Sequence, residues 1–517
     1  MNRITSILFT DLRHVIRDLG KDGGLIGPSI YDTAQVLRFA PPPEGVWPAL
    51  DWLREQQRPD GGWGDPAAPR ARDVPTMAAM LALHTYSRRK SARSAIQAAL
   101  AFLRQQAAHW AGALPDDIPV GIELLLPRLL DEAAAMGLQV PTAPYTELIA
   151  LGRRRRRLIA ELRPRAATPP LHCWEAWGTE PAIELLDRSG GLGHSPAATA
   201  AWLRAADGRM ELRDARVAAR RFLEQASAAT GLDIPGVAPT VWPISRFEQS
   251  FALYMLLIAG FLDHPALQDV VRPQIDDLAR ALRPDGLGMS DFFKPDGDDT
   301  AAALAVLKAT GRPADFAAIN AFRSDDHFCA YAGELQASVS VTAHAVHLMA
   351  LLGQKCNQSA AYMIERQLPD GRWLGDKWNG SWLYTTSQAI VALKDTGHTD
   401  AIGLAADALL THEYTDGSWG IHGSTAEETA YCILALRALL SGGVVNGAGH
   451  QALARAERWM LHQYRPFRPS AVTCWLGKEM YRPLRLANLI ELVGTIPLAE
   501  SLVLHKGNVP YLEEVLF

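Results

Sequence analysis

Apolar positions recur along this chain at the three- and four-residue spacing that lays a stripe along one side of a helix. Val46 to Gln57, Ala301 to Lys308 and Thr429 to Leu440 place Leu, Ile, Val, Ala or aromatic side chains at i, i+3 and i+4. Strict alternation, the mark of a half-buried strand, is scarce. Several periodic stretches stop at a glycine, such as Gly311 or Gly442, which accepts a left-handed C-terminal cap. Helices joined by short Gly, Pro and Asp turns predict an all-α array. Asp11, Arg13, Arg17 and Asp18 interrupt the apolar pattern of Met1 to Gly20, which predicts an amphipathic helix and not a signal peptide. No uncharged run reaches the roughly 18–20 residues of a membrane span.

A repeated turn punctuates the array. Gln57-Arg-Pro-Asp-Gly61-Gly-Trp63-Gly64 has the form QxxxGxW and recurs as Gln367-Leu-Pro-Asp-Gly371-Arg-Trp373. Glu413-Tyr-Thr-Asp-Gly417-Ser-Trp419-Gly420 carries Glu in the Gln place, and Arg283-Pro-Asp-Gly286-Leu-Gly288 is a fainter copy. Each lies between two helical patterns, so the repeating unit is helix, Asp-Gly turn, helix. The tryptophans are expected to pack over the turns and hold helix ends together. Pro41-Pro42-Pro43 and Gly236-Val-Ala-Pro239 are Pro-rich seams. They suggest that residues 43–240 form a helical barrel inserted into one made of residues 1–42 and 241–517.

Composition narrows the function classes. The chain has 517 residues, 48% hydrophobic and 21% charged, with a formal net charge of −5. That describes a globular protein with room for two or three cores, and it argues against a non-specific nucleic-acid binder. The basic run Arg153 to Arg157 is local and fits a solvated helix face. Cys173, Cys329, Cys356, Cys432 and Cys474 are widely spaced with no CxxC pair. A zinc ribbon or disulfide framework is therefore not expected, and a reducing cytoplasm is.

The sharpest chemical signal is Lys294-Pro-Asp296-Gly-Asp298-Asp299-Thr300-Ala301, which opens an apolar helix. Three carboxylates in four positions repel one another, so at least one tends to hold its proton near neutrality. A helix N-terminus opposes this by favouring the ionised form. A neutral carboxylic acid in a dry site suits protonation of an alkene, whereas the same residues also suit a helix cap or a calcium loop. A calcium loop would continue with oxygen donors, and Ala301-Ala-Ala-Leu-Ala-Val-Leu307 follows instead.

DxDD together with QxxxGxW repeats resembles the class II terpene cyclases, which include squalene–hopene cyclases and copalyl diphosphate synthases. The resemblance is nearest to bacterial class II diterpene cyclases and spans nearly the whole chain. Ser29-Ile-Tyr31-Asp32-Thr33-Ala34 is similar to their SxYDTAW segment, with Gln35 in the Trp place. Pro119 to Pro127 is similar to PxGFExxxP, His194 to Ala200 to SPSATA, and Lys377-Trp378 to KW. Glu427-Glu428-Thr429-Ala430-Tyr431 and Trp475-Leu-Gly-Lys478-Glu-Met-Tyr481 complete the set.

The resemblance implies an all-α fold of two α/α barrels, the βγ architecture, with the active site between them. It implies that Asp298 is the general acid, tuned and reloaded by Asp296 and Asp299. Geranylgeranyl diphosphate is the expected substrate and farnesyl diphosphate the alternative. A tertiary cation would form and close two rings, with Trp242, Phe247, Phe251 and Trp382 as aromatic candidates for its stabilisation. His172, in Leu171-His172-Cys173, matches the LHS segment associated with final deprotonation. Thr240 stands where the partner Asn of a PNV segment would, and Thr342 also replaces an Asn frequent in relatives. These departures point away from ent-copalyl diphosphate. They leave another stereoisomer, a halimane or clerodane skeleton, or a C15 drimane product open.

Asp116 and Asp117 occupy the place of an acidic patch linked to Mg²⁺, and Arg155, Lys377 and Lys478 are candidates for the diphosphate. Asp276-Asp277, Asp325-Asp326 and Asp116-Asp117 all lack the third acid of DDxxD. Class I ionisation is therefore not expected, and the product should pass intact to a separate class I synthase or phosphatase. Three rival readings remain: a squalene–hopene-type cyclase, a prenyltransferase-type barrel with zinc on Asp326, Cys329 and His344, and a non-enzymatic helical-repeat protein.

Overall fold

The computed structural model describes residues 3–86, 90–110, 112–114, 118–334, 337–441, 443, 447–464 and 473–497. The helices that position the site are α1 (Arg3–Asp18), α2 (Ile30–Phe39), α3 (Asp73–Tyr86), α4 (Ile122–Ala135), α5 (Trp174–Trp177), α6 (Pro196–Ala205), α7 (Ser245–Ile258), α8 (Gly297–Ala309), α9 (Val339–Leu351), α10 (Trp382–Leu393), α11 (Ala426–Ser441) and α12 (Leu484–Thr495). Helices α7 to α12 each pack against the next, and α12 returns to α7, closing one ring. A second ring closes through α2, α3, α4, α5 and α6. Outer helices cover both, which makes two α/α barrels. Among the described residues the strands are two-residue pieces, and no helix is long and apolar enough to cross a membrane.

The two helix types follow from their sequences. Inner helices are apolar or small on every side: Asp299 to Leu307 of α8 are all buried, as are Leu383 to Leu393 of α10. The outer helix α1 is amphipathic and buries Leu8, Leu12 and Ile16 at four-residue spacing. Each such side chain contributes about 1.5–3 kcal/mol of burial.

The repeat turns have one geometry. The Trp63, Trp373 and Trp419 indole N–H groups donate to the carbonyls of Leu53, Met363 and Leu409 at 2.6, 2.7 and 2.7 Å. Gln57 and Gln367 clamp the turn carbonyls of Gly61 and Gly371 at 2.8 and 2.9 Å. Gly371 has φ 90°, and a Cβ there would lie 2.1 Å from the Leu404 carbonyl oxygen, so both conformation and space demand glycine. The faint copy at Arg283 to Gly288 uses Leu287 in the Trp place, its N–H bound to Thr300 Oγ1 of α8 at 2.9 Å. A further turn, Asp187 to Gly193, binds the Leu192 N–H to Thr199 Oγ1 at 2.9 Å. Its Leu replaces the Trp, which hides it from the repeat pattern.

One core gathers Leu8 to Leu19 and residues from Phe251 onward; the other two gather residues between Ile26 and Ile244. Tyr31, Ala34 and Leu37 of α2 lie in the second barrel's core. The chain thus crosses between barrels near residues 19–29, ahead of Pro41-Pro42-Pro43. A proline run ends a helix whether or not a domain ends with it. The return lies at Ala238–Pro239, paired with Pro28–Ser29. The barrels are tied by Gly27 N–H to the Arg482 carbonyl (2.8 Å), Val120 N–H to the Gly477 carbonyl (3.1 Å) and Lys294 N–H to the Ala167 carbonyl (3.0 Å). His194 Nε2 and Ser290 Oγ, 2.6 Å apart, add a buried side-chain tie.

Candidate active site

Asp296 caps α8: its Oδ1 accepts the N–H groups of Asp298 and Asp299 at 3.1 and 2.8 Å. The expected helix cap and the expected acid cluster are therefore one object, with the cap filled by Asp296. Asp299 accepts from Ser250 Oγ of α7 at 2.7 Å. Burial pushes Asp299 up to about 7. Burial and then the Asp299 charge hold Asp296 well above the usual carboxylate range. No lysine or arginine pairs with any of the three among the described residues.

Asp298, between Asp296 and Asp299 in sequence, has a partner of its own. Its side chain is 15% exposed and its Oδ1 lies 2.5 Å from Nδ1 of the fully buried His344 on α9. His344 Nε2 lies 3.2 Å from Gln388 Oε1 and 3.4 Å from the Tyr384 hydroxyl, both on α10. Phe251 and Tyr254 pack edge-on against the imidazole.

The three carboxyls meet one chamber. Its walls are Val241, Ile244, Phe247, Phe251, Met289, Ala330, Tyr331, Trp378, Trp475 and Tyr481, with Asp296, Asp298 and Asp299 at one side. The void they bound is about 70 Å³, and it is open in part to solvent. Carbon dominates the lining. It sits where residues from Val241 to Phe251 pass from one barrel to the other, with Trp475 packed against Phe247 and Phe251.

The expected site residues divide on this geometry. Phe247 and Phe251 line the chamber. Trp242 does not: it packs on Phe222 in the second barrel. Trp382 does not either: it lies between Arg372 and His412 at the first barrel's outer end. Spacing alone could not separate these aromatics, because all four fit a core. Tyr331, Trp378, Trp475 and Tyr481 were not among the candidates, and His344 entered only as a zinc ligand in a rival reading. Pairing of His344 with Asp298 crosses 46 residues and two helices, so no local pattern carries it.

His172 lies in the second barrel and not on the chamber wall. Its Nδ1–H donates to the Gly193 carbonyl at 2.9 Å, which leaves Nε2 with a lone pair. Burial, then the charge of Lys478, push it down to about 3, so it is neutral at physiological pH. Thr240 is buried beside Gly477, and its Oγ1 has no partner among the described residues.

The cations are mostly spoken for. Lys478 is fully buried, 2.9 Å from Glu175, 2.6 Å from Ser195 Oγ and 3.5 Å from Asp32. Its charge is already matched there, so the expected diphosphate role does not fit it. Lys377 is buried with Glu334 at 2.6 Å, behind Trp378. Arg155 is half-buried, 3.4 Å from Glu123. Asp116 and Asp117 lie outside the described residues, as does Gly442. Among the described residues no cluster of three His, Cys, Asp or Glu could hold a metal. The zinc scheme fails geometrically: His344 faces Asp298, while Cys329 lies 3.5 Å from His327.

Comparison with known proteins agrees with this architecture. Residues 327–435 match the squalene-hopene cyclase C-terminal domain. The chain is 49% identical over 508 residues to the (+)-kolavenyl diphosphate synthase of Herpetosiphon aurantiacus, covering 95% of this chain and 98% of that one. It is 32% identical to a copalyl diphosphate synthase of Streptomyces cyslabdanicus, covering 92% and 93%. The solved ent-copalyl diphosphate synthase of Streptomyces platensis superimposes with a TM-score of 0.79 at 28% identity, covering 96% of this chain and 99% of that one. With its two α/α barrels and full-length similarity to these synthases, the chain belongs to the bacterial class II diterpene cyclases.

Proposed function

We propose that this enzyme folds geranylgeranyl diphosphate into the aromatic chamber, protonates its terminal alkene from Asp298, and releases a bicyclic diterpenyl diphosphate with the diphosphate intact. One observation carries this reading: the Asp298 carboxyl faces an apolar chamber with one oxygen fixed by His344 at 2.5 Å. A neutral His344 donating Nδ1–H to Oδ1 would accept at Nε2 from the Tyr384 hydroxyl and, with its amide turned, from Gln388. The Asp298 proton then resides on Oδ2. The alkene π pair takes that proton as the O–H bond breaks, which leaves a carboxylate and a tertiary cation. Neighbouring double bonds attack in turn, and a terminal proton is lost. Asp296 and Asp299 hold protons near neutrality, so either can reload Asp298.

His172, neutral with a lone pair on Nε2 but set back from the chamber wall, is our candidate for the terminal proton acceptor and would take the proton through an intervening group, with Thr240 shaping the product. The Thr in place of an amide, together with the similarity to a kolavenyl diphosphate synthase, makes kolavenyl diphosphate the first product to seek. Arg155 and Mg²⁺ on Asp116 and Asp117 would neutralise the diphosphate; the ion supplies charge compensation. A class I synthase or a phosphatase would consume the product. The free cysteines suit the cytoplasm.

The test is incubation with geranylgeranyl or farnesyl diphosphate and Mg²⁺, phosphatase treatment, then identification of the alcohol by mass spectrometry and NMR. A bicyclic C20 alcohol that disappears in Asp298→Asn is expected. Linear alcohols alone would overturn the proposal, and a cyclised C15 alcohol alone would move the substrate to farnesyl diphosphate.

A further inference from the structure

Trp475 lines the chamber and packs against Phe247, Phe251 and Tyr384 with ring centroids 5.2, 5.7 and 5.5 Å apart. Its indole N–H turns away from the chamber and donates to Glu427 Oε1 at 3.1 Å. Glu427 is 0% exposed and takes no part in the lining. The Tyr431 hydroxyl donates to the same oxygen at 2.9 Å, and Arg482 holds Oε2 at 3.0 Å. Arg482 also reaches Glu491 at 2.7 Å, so two carboxylates share one guanidinium and the group is net negative when both are ionised.

An indole N–H needs only a neutral acceptor. The repeat tryptophans Trp63, Trp373 and Trp419 have one, a backbone carbonyl in each case. The chamber tryptophan is bound instead to a carboxylate, which is costly to bury and needs Arg482 to hold it. A carboxylate on the N–H pushes electron density into the ring and deepens the negative potential over its face. That potential is what attracts a cation, and the carbon-rich lining of the chamber strengthens the effect by lowering the local dielectric.

We propose that Glu427 is a positioning residue that, through the indole N–H, makes Trp475 the chamber's strongest cation-holding surface and so sets how far the cyclised cation travels before it loses a proton. The inference rests on the proposed cyclisation. Wild type and Asp298→Asn are therefore run alongside: no cyclised alcohol from wild type removes the cyclisation itself, independently of Glu427.

Two variants address the inference. Glu427→Gln keeps an acceptor of the same shape and removes the charge. Site-specific incorporation of tryptophans bearing one to four ring fluorines at position 475 drains the ring face at nearly constant shape. With wild-type melting retained, Glu427→Gln is expected to shift the ratio of fully rearranged to early-quenched alcohols about fivefold towards the latter. KM for geranylgeranyl diphosphate should change by less than about twofold, since the effect acts on the cation and not on the neutral substrate. The logarithm of that ratio should also fall steadily with fluorine count. An unchanged product ratio in folded Glu427→Gln, or a flat fluorine series, overturns the proposal. Should Glu427→Gln fail to fold, the fluorine series decides alone.

Discussion

Two of the buried carboxylate clusters among the described residues behave oppositely. Asp32 and Glu175, in the second barrel, surround Lys478, a cation with no exposed surface. Burial opposes the Lys478 charge, but those carboxylates outweigh it and keep its pKa above the usual lysine value. Asp296 and Asp299, in the first barrel, have no lysine or arginine partner among the described residues, and burial favours their protonated forms instead. The first arrangement is an ion cluster that ties elements together; the second is a set of carboxyls beside an apolar chamber, two of which burial holds towards the neutral form. Acidic spacing in a sequence is therefore not what makes a Brønsted acid. The absence of a partner cation and the presence of a cavity are.

That contrast can be broken at either end. Asp298→Asn removes the only carboxyl of the trio held by His344, and cyclisation should fall by about 10³–10⁴-fold with the circular-dichroism spectrum unchanged. Retention of more than a tenth of the activity would return the trio to a capping role. Lys478→Met should act on the fold and leave the chemistry alone. Stranding Asp32 and Glu175 without their cation costs about 3–5 kcal/mol, read as a large drop in the denaturant midpoint. His344→Phe keeps the ring volume, loses the bond to Asp298, and should lower kcat by about 10²-fold with little change in KM.

A gentler test uses pH. Burial raises Asp299 to about 7 in the folded chain, above the roughly 3.9 of a free aspartate, so the native state binds the extra proton between those values. The Asp299 contribution to stability is then full below about pH 4 and is lost as pH rises towards 7. Melting temperatures of wild type and Asp299→Asn across pH 5–8 should converge towards parallel lines only if another group dominates; a flatter mutant profile is expected. Trp382→Phe, outside the chamber, should change kcat less than about twofold. A large effect there would redraw the chamber's boundary.

Much of the fold was legible in the residues. Inner helices announce themselves by apolar character all round, and the Asp-Gly turns by a spacing that only one geometry satisfies. Asp298 was legible through its motif, and Phe247 and Phe251 only as aromatics that could meet a cation, alongside Trp242 and Trp382, which do not line the chamber. The barrel crossing was placed late because Pro41-Pro42-Pro43 punctuates the chain without ending a domain. Lys478 looked like a diphosphate ligand because a sequence shows charge and not the company it keeps.

By itself, the sequence determined the helices, the repeated turns and the carboxylate trio, since each depends on residues within about one or two helical turns of one another. Only the tertiary structure decided which carboxyl meets His344, which aromatics face the chamber, and which lysine is already neutralised. Those outcomes depend on contacts between residues tens to hundreds of positions apart, and the physical reason is plain. Burial and charge pairing are properties of a neighbourhood in space, and the chain acquires that neighbourhood only when the two rings of helices close against each other.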